Sequence, residues 1–290
     1  MPKLVWLNGE VMPLESATTS VADHAHLYGD GLFEGIRIYS SKVFKLDEHL
    51  RRLFHGIAYL GYEMHITFDE LRAIVLDVCR QAGIENGYIR LNVTRGTGLG
   101  LDPKNINRTP NVMIMVNTLA LYSAEAYETG LHVVTSSFRV IPADSLDPRV
   151  KCIGRYANNI LAKQEGNRMN AGEALMLNHQ GYIAECTGDN LFLIREGVIY
   201  TPNPASGILQ GITRDTVIQL ARDAGHTVVE GFLTPMDVYM AEEAFLTGTA
   251  AEVIPMISLD GRKIGCGTPG MVTIDLIKRF REHTQTGVPF

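Results

Sequence analysis

Tyr28-Gly29-Asp30-Gly31-Leu32-Phe33-Glu34-Gly35-Ile36-Arg37 leads from a glycine-containing turn into a strand at Gly35–Tyr39. That strand and Lys42–Leu46 flank Ser40-Ser41, the pattern of a hairpin. Upstream, Leu4–Leu7 and Glu10–Met12 flank Asn8-Gly9, a strong two-residue hairpin signal. Downstream, Asp47 is the expected N-cap of a helix carrying Leu50, Leu53, Ile57 and Leu60 on one face. Thr67-Phe68-Asp69-Glu70 has the form of a capping box, opening a helix that buries Leu71, Ile74, Val75 and Val78. Strands follow at Tyr88–Thr94 and Val112–Asn117.

The stretch 118–130 has weak periodicity and is the expected interdomain loop. It divides a small N-terminal α/β domain (1–117) from a larger C-terminal domain (131–290), which carries Lys151. In the latter, strands are expected at Val133–Ser136, Ala174–Leu177, Leu191–Ile194 and Val198–Tyr200, with a helix from Tyr156 to Arg168. Thr213 is the expected cap of a helix bearing Val217, Ile218 and Leu220, and Thr268-Pro269 the expected start of the last helix. The fold class is α/β (α+β), two domains with largely antiparallel or mixed sheets.

Composition bounds the function. The 290 residues are 46% hydrophobic, enough for a sizeable core in one large or two moderate domains. A net charge of −6 without a basic stripe argues against nucleic acid as a partner. No apolar run approaches the ~20 residues of a membrane span, and the N-terminus reaches a turn too early for a signal peptide. Cys79, Cys152, Cys186 and Cys266 lack metal-type spacing, so no metal is expected; reduced thiols fit a cytoplasmic enzyme.

Singly, the candidate chemical residues are bland. Lys151, between a Pro-containing loop and a helix, reads as a solvated lysine, and Glu185 as an exposed strand end. Gly211-Ile212-Thr213 and Gly248-Thr249-Ala250 read as turns or caps. Together they complement one cofactor, pyridoxal 5'-phosphate. It needs a lysine amine for a Schiff base, an acid at its ring nitrogen and a cradle for its phosphate. Thr213 at a helix start offers a hydroxyl and N–H groups to an anion, and Arg52 a charge-assisted contact.

The chain resembles the class IV (fold-type IV) pyridoxal-phosphate aminotransferases, most closely the branched-chain amino acid aminotransferases, over roughly Val5 to Phe280. The resemblance rests on the ordered set Tyr28–Arg37, His49-Leu50-Arg51-Arg52-Leu53, Tyr88-Ile89-Arg90, Lys151 five residues before Tyr156, and Asn158–Lys163. The set continues with Glu185–Phe192, Gly211–Arg214 and Thr247–Glu252. It implies a D-amino acid aminotransferase-like architecture and an amino-group exchange between branched-chain L-amino acids and 2-oxoglutarate, in the setting of branched-chain amino acid biosynthesis. It further implies that Lys151 forms the Schiff base and shuttles a proton, Glu185 pairs with the ring nitrogen and Tyr156 meets the ring hydroxyl. Arg52, Gly211, Ile212, Thr213 and Thr249 are then the phosphate cradle. Thr249, Ala250 and Tyr88 receive the substrate α-carboxylate, Tyr28 and Phe33 wall the side-chain pocket, Tyr122 closes over it, and Arg90 meets the distal carboxylate of glutamate. A homodimer or an assembly of dimers is expected, with amino acids and 2-oxo acids as the small-molecule partners.

Departures from the family pattern stand at Cys152, Ile153, Gly154 and Arg155, at Cys186, and at Gln210. D-amino acid aminotransferases and an aminodeoxychorismate lyase share much of the motif set. Tyr88-Ile89-Arg90 and Gly98-Leu99-Gly100-Leu101-Asp102-Pro103 favour the branched-chain type.

Overall fold

A computed structural model describes residues 4–107, 109–119 and 121–290. The chain forms two compact units, one of Met1–Leu119, Val150–Tyr156 and Thr284–Phe290, the other of Ala120–Arg149 and Ala157–His283.

In the first unit, β1 (Leu4–Leu7), β2 (Glu10–Pro13), β3 (Gly31–Tyr39), β4 (Lys42–Val43), β5 (Gly87–Thr94) and β6 (Val112–Asn117) join the C-terminal Val288–Pro289 in one antiparallel sheet. Its order is 288–289, β4, β3, β5, β6, β1, β2. Helices α1 (His24–Tyr28), α2 (Leu46–Leu60) and α3 (Phe68–Ala82) complete the unit. Both hairpin turns are as expected, with positive φ at Asn8, Gly9, Ser40 and Ser41. Along β5, Ile89, Leu91 and Val93 are buried while Tyr88, Arg90, Asn92 and Thr94 are only partly so, the period of two that separates a strand's faces. Leu32 of β3 shares the face of Val93 and lies against Gly56 of α2. The helix buries Leu46, Leu50, Leu53 and Ile57, each contributing roughly 1.5–3 kcal/mol.

Two local expectations are corrected. The strand after Ser41 ends at Val43, because Lys45 (φ 54°) turns the chain into α2 at Leu46. Asp47 is therefore inside the first turn rather than the cap, and it accepts from Arg72 Nε at 2.7 Å. The capping box at Thr67 and Glu70 is present.

The second unit holds α4 (Ala124–Thr129), β7 (Leu131–Thr135), α5 (Tyr156–Arg168), β8 (Glu173–Leu177), β9 (Ile183–Cys186), β10 (Asn190–Arg195) and β11 (Val198–Pro202). After these come α6 (Ile212–Asp223), β12 (Thr227–Gly231), α7 (Pro235–Tyr239), β13 (Glu243–Gly248), β14 (Glu252–Leu259), β15 (Arg262–Lys263) and α8 (Met271–His283). Its nine strands form a mixed sheet ordered β12, β11, β10, β13, β14, β7, β8, β9, with β15 on β14. Phe192 and Phe245, in register on β10 and β13, stack with centroids 4.8 Å apart.

The stretch 118–130 is not loop throughout, since the Ser123 hydroxyl accepts from the Ala126 N–H and starts α4. The segment with Lys151 packs with the first unit instead of the C-terminal one. The edge of β3 accounts for this: Leu32 bridges Cys152, and the Phe33 N–H donates to the Lys151 carbonyl at 3.1 Å. Among the described residues no helix is long and apolar enough to cross a membrane.

The last helix starts at Met271, not at Thr268-Pro269. Glu243, distant in sequence, provides the cap: its carboxylate accepts from the N–H groups of Val272 (3.2 Å) and Thr273 (2.8 Å) and from the Thr273 hydroxyl (2.7 Å). Replacing Glu243 with Ala is expected to cost about 1–2 kcal/mol of stability, read from urea unfolding of the purified chain. A loss below a few tenths would show that the helix start is capped by water equally well.

Candidate active site

In the first unit, three expected residues gather around the ring of a fourth, Phe33. The Lys151 ammonium donates to the Tyr156 hydroxyl at 2.6 Å. The same Nζ lies 4.7 Å from the centroid of the Phe33 ring, against which Tyr156 packs edge-on at 4.6 Å. Arg90 lies on that ring too, its guanidinium carbon 3.7 Å from the centroid, with Nε donating to Asn92 Oδ1 at 2.9 Å. Register explains the gathering: Phe33 opposes Asn92 and Gly35 opposes Arg90, so these side chains share a sheet face with Tyr88. Gly35 makes the space, because a Cβ there would come within 1.9 Å of the Tyr88 hydroxyl oxygen. Burial lowers the Arg90 pKa from its ordinary value, opposed by Tyr88, yet a guanidinium remains a cation.

Tyr28 is the least enclosed of the set, 46% exposed, and its hydroxyl accepts from the Gly100 N–H at 3.1 Å. It ends α1, which Gly29 terminates at φ 70°; a Cβ on Gly29 would come within 2.6 Å of the Gly154 Cα. The Gly154 N–H donates to the Gly29 carbonyl at 3.0 Å, so the departure at position 154 serves a close backbone approach.

Arg52 is bound to an acid the sequence reading passed over. Its Nε and Nη2 donate to the two oxygens of Glu34, each at 2.7 Å, and His49 Nδ1 donates to Glu34 Oε2 at 2.7 Å. Glu34 is fully buried on the helix-covered face of β3. Burial alone would raise its pKa, but the charge and hydrogen bonds of Arg52, aided by His49, hold it at about 2. His49, lowered chiefly by burial, is neutral at neutral pH, and its proton resides on Nδ1 because a carboxylate can only accept. The one available sequence signal was the His49–Arg52 spacing, which puts both side chains on one helix face.

In the second unit, Glu185 is buried on β9, with Oε2 accepting from Leu209 N–H (2.9 Å) and Asn190 Nδ2 (3.2 Å). It is not the exposed strand end its position suggested. Gly211, not Thr213, is the N-cap of α6, and no side chain caps this start. A Cβ on Gly211 would meet Asn190 Oδ1 at 2.1 Å, so that position admits no side chain. Ile212 and the buried Thr213 form the first helical turn. β13 ends beside Gly248, Thr249 and Ala250, and the buried Thr247 Oγ1 there has no hydrogen-bond partner among the described residues. Tyr122 donates to Asp189 Oδ2 at 3.4 Å. A separate cavity of about 610 Å³ in the first unit, lined by Trp6, Met64, Ile74 and Val112 among others, includes none of the expected site residues.

Each unit holds groups of the kind pyridoxal phosphate requires: the first an amine held by a phenol, the second a buried carboxylate and a helix start without a side-chain cap.

Residues 31–259 match the model of the class IV amino-transferases. The chain belongs to that family. Its similarities are narrower still: the branched-chain-amino-acid aminotransferase of Pseudomonas aeruginosa is 39% identical, over 96% of this chain and 91% of its own. The crystal structure of the Escherichia coli branched-chain amino acid aminotransferase is 34% identical, with a TM-score of 0.93 over 97% of this chain and 94% of that one. The branched-chain amino acid aminotransferase of Thermobaculum terrenum, solved in its PLP-form, is also 34% identical, with a TM-score of 0.88 over 98% and 94%.

Glu34 has a signed consequence. Its folded pKa of about 2 lies below the ordinary 4.5, so its contribution is complete above about pH 4.5 and is lost as pH falls toward 2. Glu34→Gln is expected to cost about 3–5 kcal/mol at neutral pH, by leaving the Arg52 charge uncompensated, and to flatten part of the acid limb of stability. Urea unfolding across pH reads both; a variant with the wild-type acid limb would show that other carboxylates set it.

Proposed function

We propose that this chain is a pyridoxal-phosphate-dependent transaminase that moves amino groups between the branched-chain L-amino acids leucine, isoleucine and valine and 2-oxoglutarate. The observation that carries the reading is the convergence of the Lys151 amine and the Arg90 cation on the Phe33 ring. An apolar wall with a cation at its side suits both an aliphatic side chain and a second carboxylate. Membership of the class IV family and the branched-chain relatives support it.

In this reading Lys151 would hold the cofactor, and its Nζ would take the proton from the substrate Cα. Tyr156, bonded to that Nζ, orients it and meets the ring hydroxyl. Glu185, anchored by Leu209 and Asn190, keeps the ring nitrogen protonated. When bound, pyridoxal phosphate supplies an electron sink for the pair left at Cα. Arg52, Gly211, Ile212, Thr213 and Thr249 hold the phosphate, and Thr249, Ala250 and Tyr88 the α-carboxylate. Phe33 and Tyr28 exclude water from the side chain, and Tyr122 closes that pocket. Arg90 compensates the distal carboxylate of glutamate, which without a partner would be strongly unfavourable there. The reading includes a cytoplasmic enzyme acting as a homodimer or an assembly of dimers, as the fold-type IV resemblance implies.

Borohydride reduction of the yellow holoenzyme is expected to fix the cofactor on the peptide containing Lys151, and Lys151→Ala to lose nearly all transamination. Label on another lysine overturns the assignment. Arg90→Ala is expected to lower catalytic efficiency with 2-oxoglutarate roughly ten- to hundredfold while sparing the leucine half-reaction in single turnover. Equal losses in both half-reactions would remove Arg90 from distal-carboxylate recognition.

A further inference from the structure

Asp189 lies in a buried acidic cluster and is itself given no role by the mechanism above. It is 5% exposed on the turn before β10. Facing it are Glu173 of β8, Glu185 and Cys186 of β9, Lys163 of α5 and Tyr122. Lys163 is committed to Glu173, donating to its Oε1 at 2.6 Å and to the Gly172 carbonyl at 2.5 Å. Glu173 is saturated further by the Thr187 N–H (2.6 Å), the Thr187 hydroxyl (2.7 Å) and the Gly188 N–H (3.3 Å). No cation forms an ion pair with Asp189 among the described residues, and Tyr122 gives it a hydrogen bond from a neutral phenol at 3.4 Å.

Two contacts give this carboxyl mechanical meaning. Its Oδ1 lies over Gly248, the last residue of β13, so closely that an added Cβ there would be 2.0 Å away. The Tyr127 hydroxyl donates to the Ala251 carbonyl at 3.0 Å, and Tyr122 packs against Tyr127 with centroids 6.5 Å apart. The segment bearing Tyr122 and Tyr127 therefore grips the 248–251 turn at both its ends, once through Asp189 and once directly.

We propose that Asp189 is a positioning residue for the α-carboxylate subsite, fixing Tyr122 and the Gly248–Thr249 turn against each other and holding a proton while an anion occupies that turn. The inference rests on the assignment of Thr249 and Ala250 to the substrate carboxylate. Burial, then the charge of Glu173, push the Asp189 carboxyl up to about 7, against the opposing effects of Lys163 and the Tyr122 bond. A second negative charge beside Gly248 disfavours ionisation further, and by reciprocity ionised Asp189 weakens anion binding. Affinity for the substrate carboxylate is thus full on the acid side of about pH 7 and falls on the alkaline side.

The test is steady-state kinetics of the holoenzyme with L-leucine and 2-oxoglutarate, from about pH 6 to about pH 9, on wild type, Asp189→Asn and Tyr122→Phe. In the wild type KM for leucine is expected to rise roughly fivefold or more across that range, with kcat changing less. Asp189→Asn, which keeps an oxygen for the Tyr122 hydroxyl, is expected to flatten that rise. Tyr122→Phe removes a donor that favours the carboxylate and is expected to move the rise to higher pH; it decides the matter should Asp189→Asn not fold. Independently of turnover, 4-methylvaleric acid, which is leucine without its amino group, serves as a probe of the subsite. Calorimetry of its binding in two buffers near neutral pH is expected to show proton uptake by wild type and less by Asp189→Asn. An alkaline rise retained in Asp189→Asn, an unmoved rise in Tyr122→Phe, or equal proton uptake overturns the proposal. A fully active wild type with a pH-flat KM sinks the Asp189 role alone, whereas a wild type without transamination sinks the function and this inference with it.

Discussion

The free edge of β3 is the constraint on which the amine-bearing part of the molecule depends. β4 pairs only with Ile38 and Tyr39, so it does not cover the earlier part of this nine-residue strand on that side. A strand edge of this kind must be paired or covered. The chain returns after more than a hundred residues to do so, bridging Leu32 with Cys152 and giving the Phe33 amide to the Lys151 carbonyl. Satisfying an edge therefore also fixes the lysine. The same register brings Phe33, Arg90 and Tyr88 to one sheet face.

Buried charge is handled differently in the two units. In the first, Glu34 receives a bidentate guanidinium and an imidazole, and its carboxylate is stabilised far below the usual range. In the second, three acids, Glu173, Glu185 and Asp189, share one nearby lysine, which Glu173 takes. Geometry thus holds the Glu34 carboxyl down at about 2 and pushes the Asp189 carboxyl up to about 7.

Local signals suffice where the deciding physics is local. The helix over Tyr156–Arg168 and the strand over Val112–Asn117 have the bounds their patterns indicate, and Thr67 with Glu70 forms its box. Strands β12, β13 and β14 had no expectation; β13 and β14 are buried on both faces for most of their length and lack alternation. The start of the last helix is not legible locally because its capping carboxylate is Glu243, far away in sequence. In the site, Lys151, Tyr156, Phe33, Tyr88 and Arg90 were legible as motifs. Glu34, Glu173 and Asp189 were not, since a charged residue in a strand or turn is ordinarily solvated and its burial is decided by neighbours that only the fold brings near.

The composition of the first unit also orders the birth of the protein. Although most of it is made first, its sheet lacks the covering of β3 until residues near Lys151 leave the ribosome, and lacks its outermost strand until Val288 and Pro289 pair with β4. Contacts of such sequence separation form late and slowly. A nascent chain must therefore wait with an exposed sheet edge until those later segments emerge, a period in which two such edges on neighbouring ribosomes can find each other before either finds its own late strand.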